Sequence, residues 1–297
     1  MASTPANPKV GETFFNRVLW YTLRVMKILG SVYKLVERVD YFAATLAVTL
    51  LGGIAGGEGS ELRLGIAILS NLLLFSFAVI YQKIETAPAA AFERKDLQQN
   101  PIASGEVSVK FASTLSGITV MLCLALASLL GPLNIALELL GIFVAIALSH
   151  HNLKLGNSAL MRLGKHQSLL SVIFGLSGYL ATAQKMKSEA ILLTIFLLAL
   201  GFLLAAWTSE RTTRPLSRPL LIILLVFASG SAYMLFVVFE VIPHWVLSLI
   251  VLLSAVIAFI KHRFNPHQHS MPQIVYDSLV IATTFSLIIS YLVQVFF

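Results

Sequence analysis

The chain has 297 residues, of which 57% are hydrophobic and only 12% are charged, and its mean hydropathy is +0.85. A soluble domain carries about 25% charged residues, so this composition excludes a soluble enzyme, a disordered chain and a secreted disulfide scaffold. The single cysteine, Cys123, lies inside an apolar run and has no partner for an intrachain disulfide. The net charge of +7 comes from basic residues between apolar runs, a pattern of membrane orientation rather than of nucleic-acid binding.

Apolar runs long enough to cross about 30 Å of hydrocarbon recur from one end of the chain to the other. Because lipid cannot satisfy open backbone groups and the alternation typical of a β-barrel is absent, these runs are predicted to be helices. The sequence therefore predicts an all-α membrane protein, a nine-transmembrane-helix bundle within residues 41–297. The predicted spans are Tyr41–Gly57, Leu64–Tyr81, Phe111–Leu130, Pro132–Leu148, Leu169–Ala183, Ala190–Trp207, Leu220–Phe239, Val241–Ile260 and Ile274–Phe297.

Residues 1–40 are predicted to form a separate cytoplasmic N-terminal segment. Within it, Thr13–Arg38 mixes aromatic and aliphatic residues with arginine and lysine, which is typical of an amphipathic helix lying along a membrane surface.

The basic residues predict the orientation of the bundle. Of the 21 lysines and arginines, all but Arg63, Lys185 and Lys187 fall on one side of the predicted spans. The positive-inside rule then places the N-terminus in the cytoplasm and the C-terminus outside, in a multi-pass integral membrane protein of the cell membrane if the source is bacterial or archaeal. The long loops, after the second and fourth spans, lie on the cytoplasmic side, so we expect a central cavity open to the cytoplasm.

A sequence motif follows the second predicted span. The segment Tyr81–Ala89 reads YQKIETAPA, and Asn100–Ser108 reads NPIASGEVS, with Asn100, Pro101, Ser104 and Gly105 as its most distinctive residues. This part of the chain resembles the UbiA superfamily of intramembrane prenyltransferases, in which an Asp-rich motif, Asn-Asp-x-x-Asp-x-x-x-Asp, ends helix 2 and a segment like Asn/Arg-Pro-x-x-Ser-Gly-x-x-Ser follows it. The helix count and a basic loop after the fourth span fit the same family, and the resemblance is best over Leu64–Phe239.

The resemblance implies a metal-dependent chemistry. In that family two Asp-rich motifs hold Mg²⁺ ions that bridge the oxygens of an allylic diphosphate and stabilise charge on the departing diphosphate. The prenyl cation then alkylates an aromatic ring or a lipid alcohol in an apolar chamber. The resemblance thus implies Mg²⁺ as the cofactor if the protein is active, and an isoprenoid or a prenyl diphosphate as its ligand, besides the lipids of the bilayer.

This chain departs from the family pattern at the metal ligands. Gln82, Glu85 and Ala89 occupy the three Asp positions of the first motif, so one carboxylate of three is left. The second motif belongs near Leu203–Arg218, aligned to within about four residues, where Glu210 is the only acid. Trp207, Arg211, Arg214 and Arg218 lie beside it. Clustered cations repel a divalent metal, whereas arginine binds phosphate directly.

Two interpretations follow from this departure. In the first, the fold keeps a lipid chamber and has lost or altered Mg²⁺-dependent prenyl transfer, which leaves a lipid-binding pseudoenzyme. In the second, the protein is an active transferase in which Glu85 and Glu210 hold one metal ion and basic residues take over the remaining diphosphate charge. The resemblance gives Lys154, Arg162, Lys165 and Arg218 as diphosphate-binding candidates.

Other polar residues are weaker candidates. His150 and His151 lie where the family presents polar groups to the chamber. Asp277, beside Tyr276, lies about one turn from the cytoplasmic end of the ninth span, a position that suits a residue facing the chamber, a helix cap or an interfacial residue equally well. Glu138 is an acid inside a predicted span, and such residues are functional candidates by default. A small transporter is the alternative from another class, but it predicts paired helix interruptions at the membrane midplane, which the interior glycines do not form.

Overall fold

The computed structural model describes residues 26, 30–32, 35, 39–57, 60–91, 100–154, 168–183, 186–208, 218–264 and 271–296. These residues are all helix, turn or irregular, with no strand among them. The helices are α1 (Val39–Gly56), α2 (Glu61–Ala90), α3 (Val109–Leu130), α4 (Pro132–Lys154), α5 (Ser168–Ala183), α6 (Ser188–Thr208), α7 (Arg218–Tyr233, continued by a π-helical turn, Met234–Val238), α8 (His244–Phe264) and α9 (Met271–Phe296). Each of the predicted apolar runs coincides with one of them.

The helices have the length and composition of membrane segments. Three apolar stretches, Glu61–Pro88, Val109–Leu130 and His244–His262, are long enough to cross a bilayer, and the other described helices contain shorter apolar stretches. The chain is therefore a multi-pass integral membrane protein.

Two predicted boundaries were wrong. Helix α2 continues to Ala90 and α4 continues to Lys154, so residues 82–90 and 149–154, which were assigned to loops, are helical. Hydropathy marks where a helix leaves the hydrocarbon, whereas the helical backbone can continue into the polar region beyond it. Residues 82–91 are rich in helix-forming Gln, Lys, Glu and Ala, and Pro88 comes only near the end of the helix.

Helices α1 and α5 pack closely through glycine. A Cβ atom placed on Gly52 would overlap the backbone carbonyl of Gly175, and one placed on Gly178 would overlap the carbonyl of Thr49. Small residues at such a crossing let two backbones approach, which is the usual basis of helix association in lipid. The Thr182 hydroxyl adds a hydrogen bond to the carbonyl oxygen of Gly53, at 2.9 Å.

Arg63 ties the start of α2 to the ends of two other helices. Its guanidinium donates to the carbonyl oxygens of Ala181 on α5, at 3.0 Å, and Leu130 on α3, at 2.6 Å. The last carbonyl groups of a helix have no hydrogen-bond partner within the helix, and the negative end of the helix dipole lies there. The Arg63 cation therefore stabilises the ends of both α3 and α5. These contacts place the start of α2 and the ends of α3 and α5 at the same end of the bundle.

The exposed surface of α8 is apolar. Helix α8 packs mainly on α9, and its large side chains, such as Val251 and Phe259, are exposed. Such a surface suits lipid contact, because lipid tails are as apolar as these side chains.

Candidate functional site at the end of helix α2

The residues predicted to occupy the three Asp positions of the first motif lie on one face of a helix. Gln82, Glu85 and Ala89 are separated by three and four residues within α2, and residues at that spacing share a face. Gln82 is exposed and Glu85 is half-buried; the side chain of Ala89 lies outside the described part of the structure. We call this surface, Gln82, Glu85 and Ala89, the motif face of α2.

Glu85 has an aromatic neighbour one turn earlier on the helix. The Tyr81 hydroxyl is in hydrogen-bonding contact with the Glu85 carboxylate. The Tyr81 ring in turn packs on Phe77, with ring centroids 5.6 Å apart and the planes tilted by 34°. The Glu85 carboxylate therefore has an aromatic hydroxyl beside it on its own helix, from the residue that precedes Gln82.

The second part of the motif forms a compact turn against α2. Asn100 is buried, and its side-chain amide donates to the carbonyl oxygen of Lys83, at 2.8 Å, and to the Thr86 hydroxyl, at 3.3 Å. Its side-chain oxygen accepts from the backbone N–H groups of Ile102, at 3.0 Å, and Ala103, at 3.4 Å. One side chain therefore shapes the turn and fastens it to the helix.

The rest of the motif also has a structural role. Pro101 is buried, its carbonyl oxygen accepts from the N–H of Val107 at 2.9 Å, and it also accepts the exposed Ser104 hydroxyl at 3.3 Å. Gly105 has φ +75°, a conformation that favours glycine. Ser108 then caps α3, since its hydroxyl accepts from the N–H of Phe111 at 3.2 Å.

An apolar cluster lies under this turn. Ile80 and Ala87 of α2 pack with Ile102 and Val107 of the turn. Leu35, from the segment before α1, is fully buried in the same cluster. Because Ile80, Ile84 and Ala87 lie on the opposite side of α2 from Glu85, the turn supports the helix from behind the motif face.

The structure leaves most of the other predicted site residues without a described side chain. His150, His151, Lys154, Trp207, Arg218, Tyr276 and Asp277 lie within helices, but their side chains are outside the described part. Arg162, Lys165, Glu210, Arg211 and Arg214 are outside the described residues altogether. Of the predicted set, the structure brings together the motif face of α2 and the turn that begins at Asn100.

Among the described residues no three His, Cys, Asp or Glu side chains gather around a common point. The end of α2 supplies one oxygen ligand of the kind Mg²⁺ takes, the Glu85 carboxylate. A magnesium ion is commonly held by one or two carboxylates together with substrate phosphates. The described residues therefore fit part of such a site.

A buried polar cluster lies inside the bundle, away from the end of α2. The carboxylate of Glu138 on α4 is fully buried and accepts from the Ser70 hydroxyl on α2, at 2.9 Å, and from the thiol of Cys123 on α3, at 3.3 Å. The sequence identified Glu138 as an acid within a span but not its partners. No comparable signal identified Ser70, because a serine within a helix can bond to a carbonyl of its own helix.

A second set of polar contacts crosses neighbouring helices. Asn71 on α2 donates to the hydroxyl of Thr49 on α1, at 2.9 Å, and to the carbonyl oxygen of Phe174 on α5, at 3.2 Å. Its own side-chain oxygen is buried without a hydrogen-bond partner.

No family model matches the sequence, and no curated protein matches it. Solved structures do match the fold. A UbiA homologue from Aeropyrum pernix K1, in its apo form, is 13% identical, covering 87% of this chain and 99% of that chain with a TM-score of 0.62. A digeranylgeranylglyceryl phosphate synthase is also 13% identical, covering 88% of this chain and 98% of that chain with a TM-score of 0.60.

A third structure, a UbiA homologue from Archaeoglobus fulgidus bound to DMAPP and Mg²⁺, is 17% identical over 90% of this chain and 88% of that chain, with a TM-score of 0.47. At 13% sequence identity, the likeness to the first two structures establishes the fold alone. The chain therefore has the fold of the UbiA homologues, as its motif predicted.

Proposed function

We propose that this protein binds an isoprenoid, or a similar long-chain lipid, through a chamber of the UbiA-type bundle, and that Mg²⁺-dependent prenyl transfer is lost or altered. The observation that carries this proposal is the motif face of α2. It carries Gln82, Glu85 and Ala89, the residues that the resemblance aligns with three aspartates of the family, within a fold that matches a UbiA homologue over nearly its whole length.

The loss of two carboxylates weakens a metal site directly. Mg²⁺ needs near-octahedral oxygen coordination and gives up its water reluctantly, so each missing carboxylate must be replaced by substrate phosphate or water. When bound, Mg²⁺ would stabilise charge on a departing diphosphate, and Glu85 is the described residue that would hold it. The contact with Tyr81 competes for this remaining carboxylate.

We further propose the topology that the basic residues predict. Nine helices cross the membrane, the N-terminus is cytoplasmic, the C-terminus is outside, and the chamber opens at the cytoplasmic end of α2. Residues 1–40 form an amphipathic segment on the cytoplasmic surface. Lys154, Arg162, Lys165 and Arg218, with Arg211 and Arg214, then supply positive charge for a diphosphate or another anionic headgroup at that end.

Native mass spectrometry of the purified protein tests this function. We expect a co-purified isoprenoid or long-chain lipid to stay bound, and added geranyl diphosphate to bind without turnover whether or not Mg²⁺ is present. Mg²⁺-dependent release of diphosphate in the presence of an aromatic or lipid acceptor would instead establish an active transferase. An absence of any retained lipid and of geranyl diphosphate binding would overturn the proposal.

A gain-of-metal variant tests the assignment of the motif face. Restoring two carboxylates with Gln82→Asp and Ala89→Asp places three acids on one face, so Mg²⁺ affinity should rise at least about tenfold. The matched control, Gln82→Asp with Ala91→Asp, adds the same charge, but Ala91 follows the last turn of α2 on another side. Equal Mg²⁺ affinities for the two double variants would show that the motif is misplaced.

A further inference from the structure

The turn that begins at Asn100 holds α2 from the side opposite Glu85. Helix α2 has 30 residues and is therefore about 45 Å long, longer than the roughly 30 Å of hydrocarbon that it crosses. Its last turns extend beyond the span, and Pro88 lacks the N–H that would bond to the carbonyl of Ile84. A helix end of this kind frays unless another part of the chain fastens it.

The Asn100 side chain supplies that connection. Its amide bonds to the Lys83 carbonyl oxygen and the Thr86 hydroxyl, the positions two before and one after Glu85. It reaches them from a buried position on a turn that is itself fixed by hydrogen bonds to the Asn100 side-chain oxygen. Leu35 and the apolar side chains of the turn fill the space beneath.

We propose that Asn100 is a positioning residue, which sets the rotation and order of the last turns of α2 and so the orientation of the motif face. This inference rests on the proposed function for its consequence, that Asn100 controls ligand affinity without touching the ligand. It also gives the Asn-Pro-x-x-Ser-Gly segment a structural role that needs no aspartate on the motif face. Its asparagine and proline serve the fold, whether or not a metal binds.

The substitution Asn100→Asp separates the two kinds of contact that this side chain makes, those that shape the turn and those that fasten the turn to α2. Aspartate keeps an oxygen that accepts from the N–H groups of Ile102 and Ala103, so the turn survives. It replaces the donor to Lys83 and Thr86 with a second acceptor, which repels the Lys83 carbonyl. Ser104→Ala is the matched control, because Ser104 belongs to the same turn and its hydroxyl bonds only within it.

A nitroxide label on Gln82→Cys reads the effect. Gln82 is exposed, and the only native cysteine, Cys123, is buried, so labelling is specific. With Asn100→Asp we expect the label to become mobile and the amides of 83–90 to exchange hydrogen about tenfold faster, as expected for the loss of a buried hydrogen bond. A second label at exposed Ser128, on the far end of α3, should not change, whereas global destabilisation would move both labels.

Two further measurements complete the test. If Asn100→Asp does not fold, Ile102→Val removes one methyl group from the apolar cluster under the turn, which is a milder change, and should mobilise the label at residue 82 but not the one at residue 128. Geranyl diphosphate affinity should fall about tenfold in Asn100→Asp and stay unchanged in Ser104→Ala.

The outcomes distinguish a failure of the positioning role of Asn100 from a failure of the proposed function. An immobile label at residue 82 in Asn100→Asp, or a mobile label with unchanged affinity, would overturn the positioning role. If the unaltered protein retains no lipid and binds no geranyl diphosphate, the proposed function fails, and the label at residue 82 alone decides whether Asn100 positions α2.

Discussion

Two parts of this bundle differ in the hydrogen bonds that their polar side chains make. In α1–α5, polar side chains bond from one helix to another, as Asn71 does to Thr49 and Ser177 does to Asn134, at 3.2 Å. Hydroxyls of α1–α5, such as those of Ser76 and Ser149, also bond to carbonyls of their own helix. In the described part of α6–α9 this second kind of bond predominates, at Thr194, Ser229, Ser231, Ser248, Ser254 and Ser278. The Thr284 hydroxyl, which bonds to the carbonyl oxygen of Ala43 at 3.0 Å, links the two parts.

This difference bears on where a fixed site can be built. In lipid there is no hydrophobic force to drive helices together, so close backbone packing and interhelical hydrogen bonds decide which helices meet and in what register. Helices α1–α5 contain close backbone packing and interhelical hydrogen bonds, whereas α7 and α8 present mostly aliphatic surface. The motif face therefore lies on a helix whose neighbours are specified, and an adaptable chamber wall is expected from the second part.

The largest effect that tests this comparison is expected from a pair of glycine substitutions. Gly178→Leu puts a side chain where the carbonyl of Thr49 lies, so the free energy of unfolding should fall by about 3 kcal/mol or more. Gly230→Leu on α7 meets open space and should change it by less than about 1 kcal/mol. Thermal unfolding in detergent micelles measures both, and equal losses would remove the distinction between the two parts.

A smaller effect is expected at the end of the bundle. Arg63→Gln removes the cation that serves the carbonyl groups of Leu130 and Ala181, and because Arg63 is half-exposed the expected loss is about 1 to 2 kcal/mol. Lys187→Gln is the control, since Lys187 is an exposed cation at the start of α6. If both variants unfold at the same temperature as the unaltered protein, the connection among the three helices contributes nothing measurable.

The sequence predicted the segments of this fold but not their contacts. Hydropathy located all the apolar runs, because burial in lipid makes the same demand on every residue of a span. It ended α2 at Tyr81 and α4 at Leu148, since charge reports the edge of the hydrocarbon and not the end of a helix. The pairing of Gly178 with Thr49 joins distant parts of the chain, and nothing local in the sequence specifies it.

The candidate site was predicted in part. The motif gave the positions of Glu85 and Asn100, and the fold likeness supports the family that the motif indicated. The role of Asn100 was not predictable, because it depends on a buried amide reaching the carbonyl of Lys83, seventeen residues earlier in the chain. Glu210, Arg211 and Arg214 of the predicted second motif lie outside the described residues, and that motif stays a prediction.

The smallest expected effect has the opposite sign. Glu138 is fully buried, and no Lys, Arg or His side chain among the described residues forms an ion pair with it. Glu138→Gln keeps an acceptor for Ser70 and offers a donor toward Cys123 while removing the ionisable group. The free energy of unfolding should stay unchanged or rise by up to about 1 kcal/mol, because replacing a buried ionisable group by a neutral one of similar shape is often stabilising. Thermal unfolding measures it, with exposed Glu240→Gln as the control.

The sign of this change distinguishes two roles for polar groups inside α1–α5. If stability holds in Glu138→Gln, hydrogen bonds alone fix the meeting of α2, α3 and α4, and the carboxylate was retained for a reason other than stability. Lipid retention in the same variant then becomes the decisive measurement, because a stable protein that no longer retains its lipid would extend the candidate site from the end of α2 into the bundle. A fall of more than about 1 kcal/mol would instead make the carboxylate itself a structural requirement, and polar contacts would then stabilise this part as well as specify it.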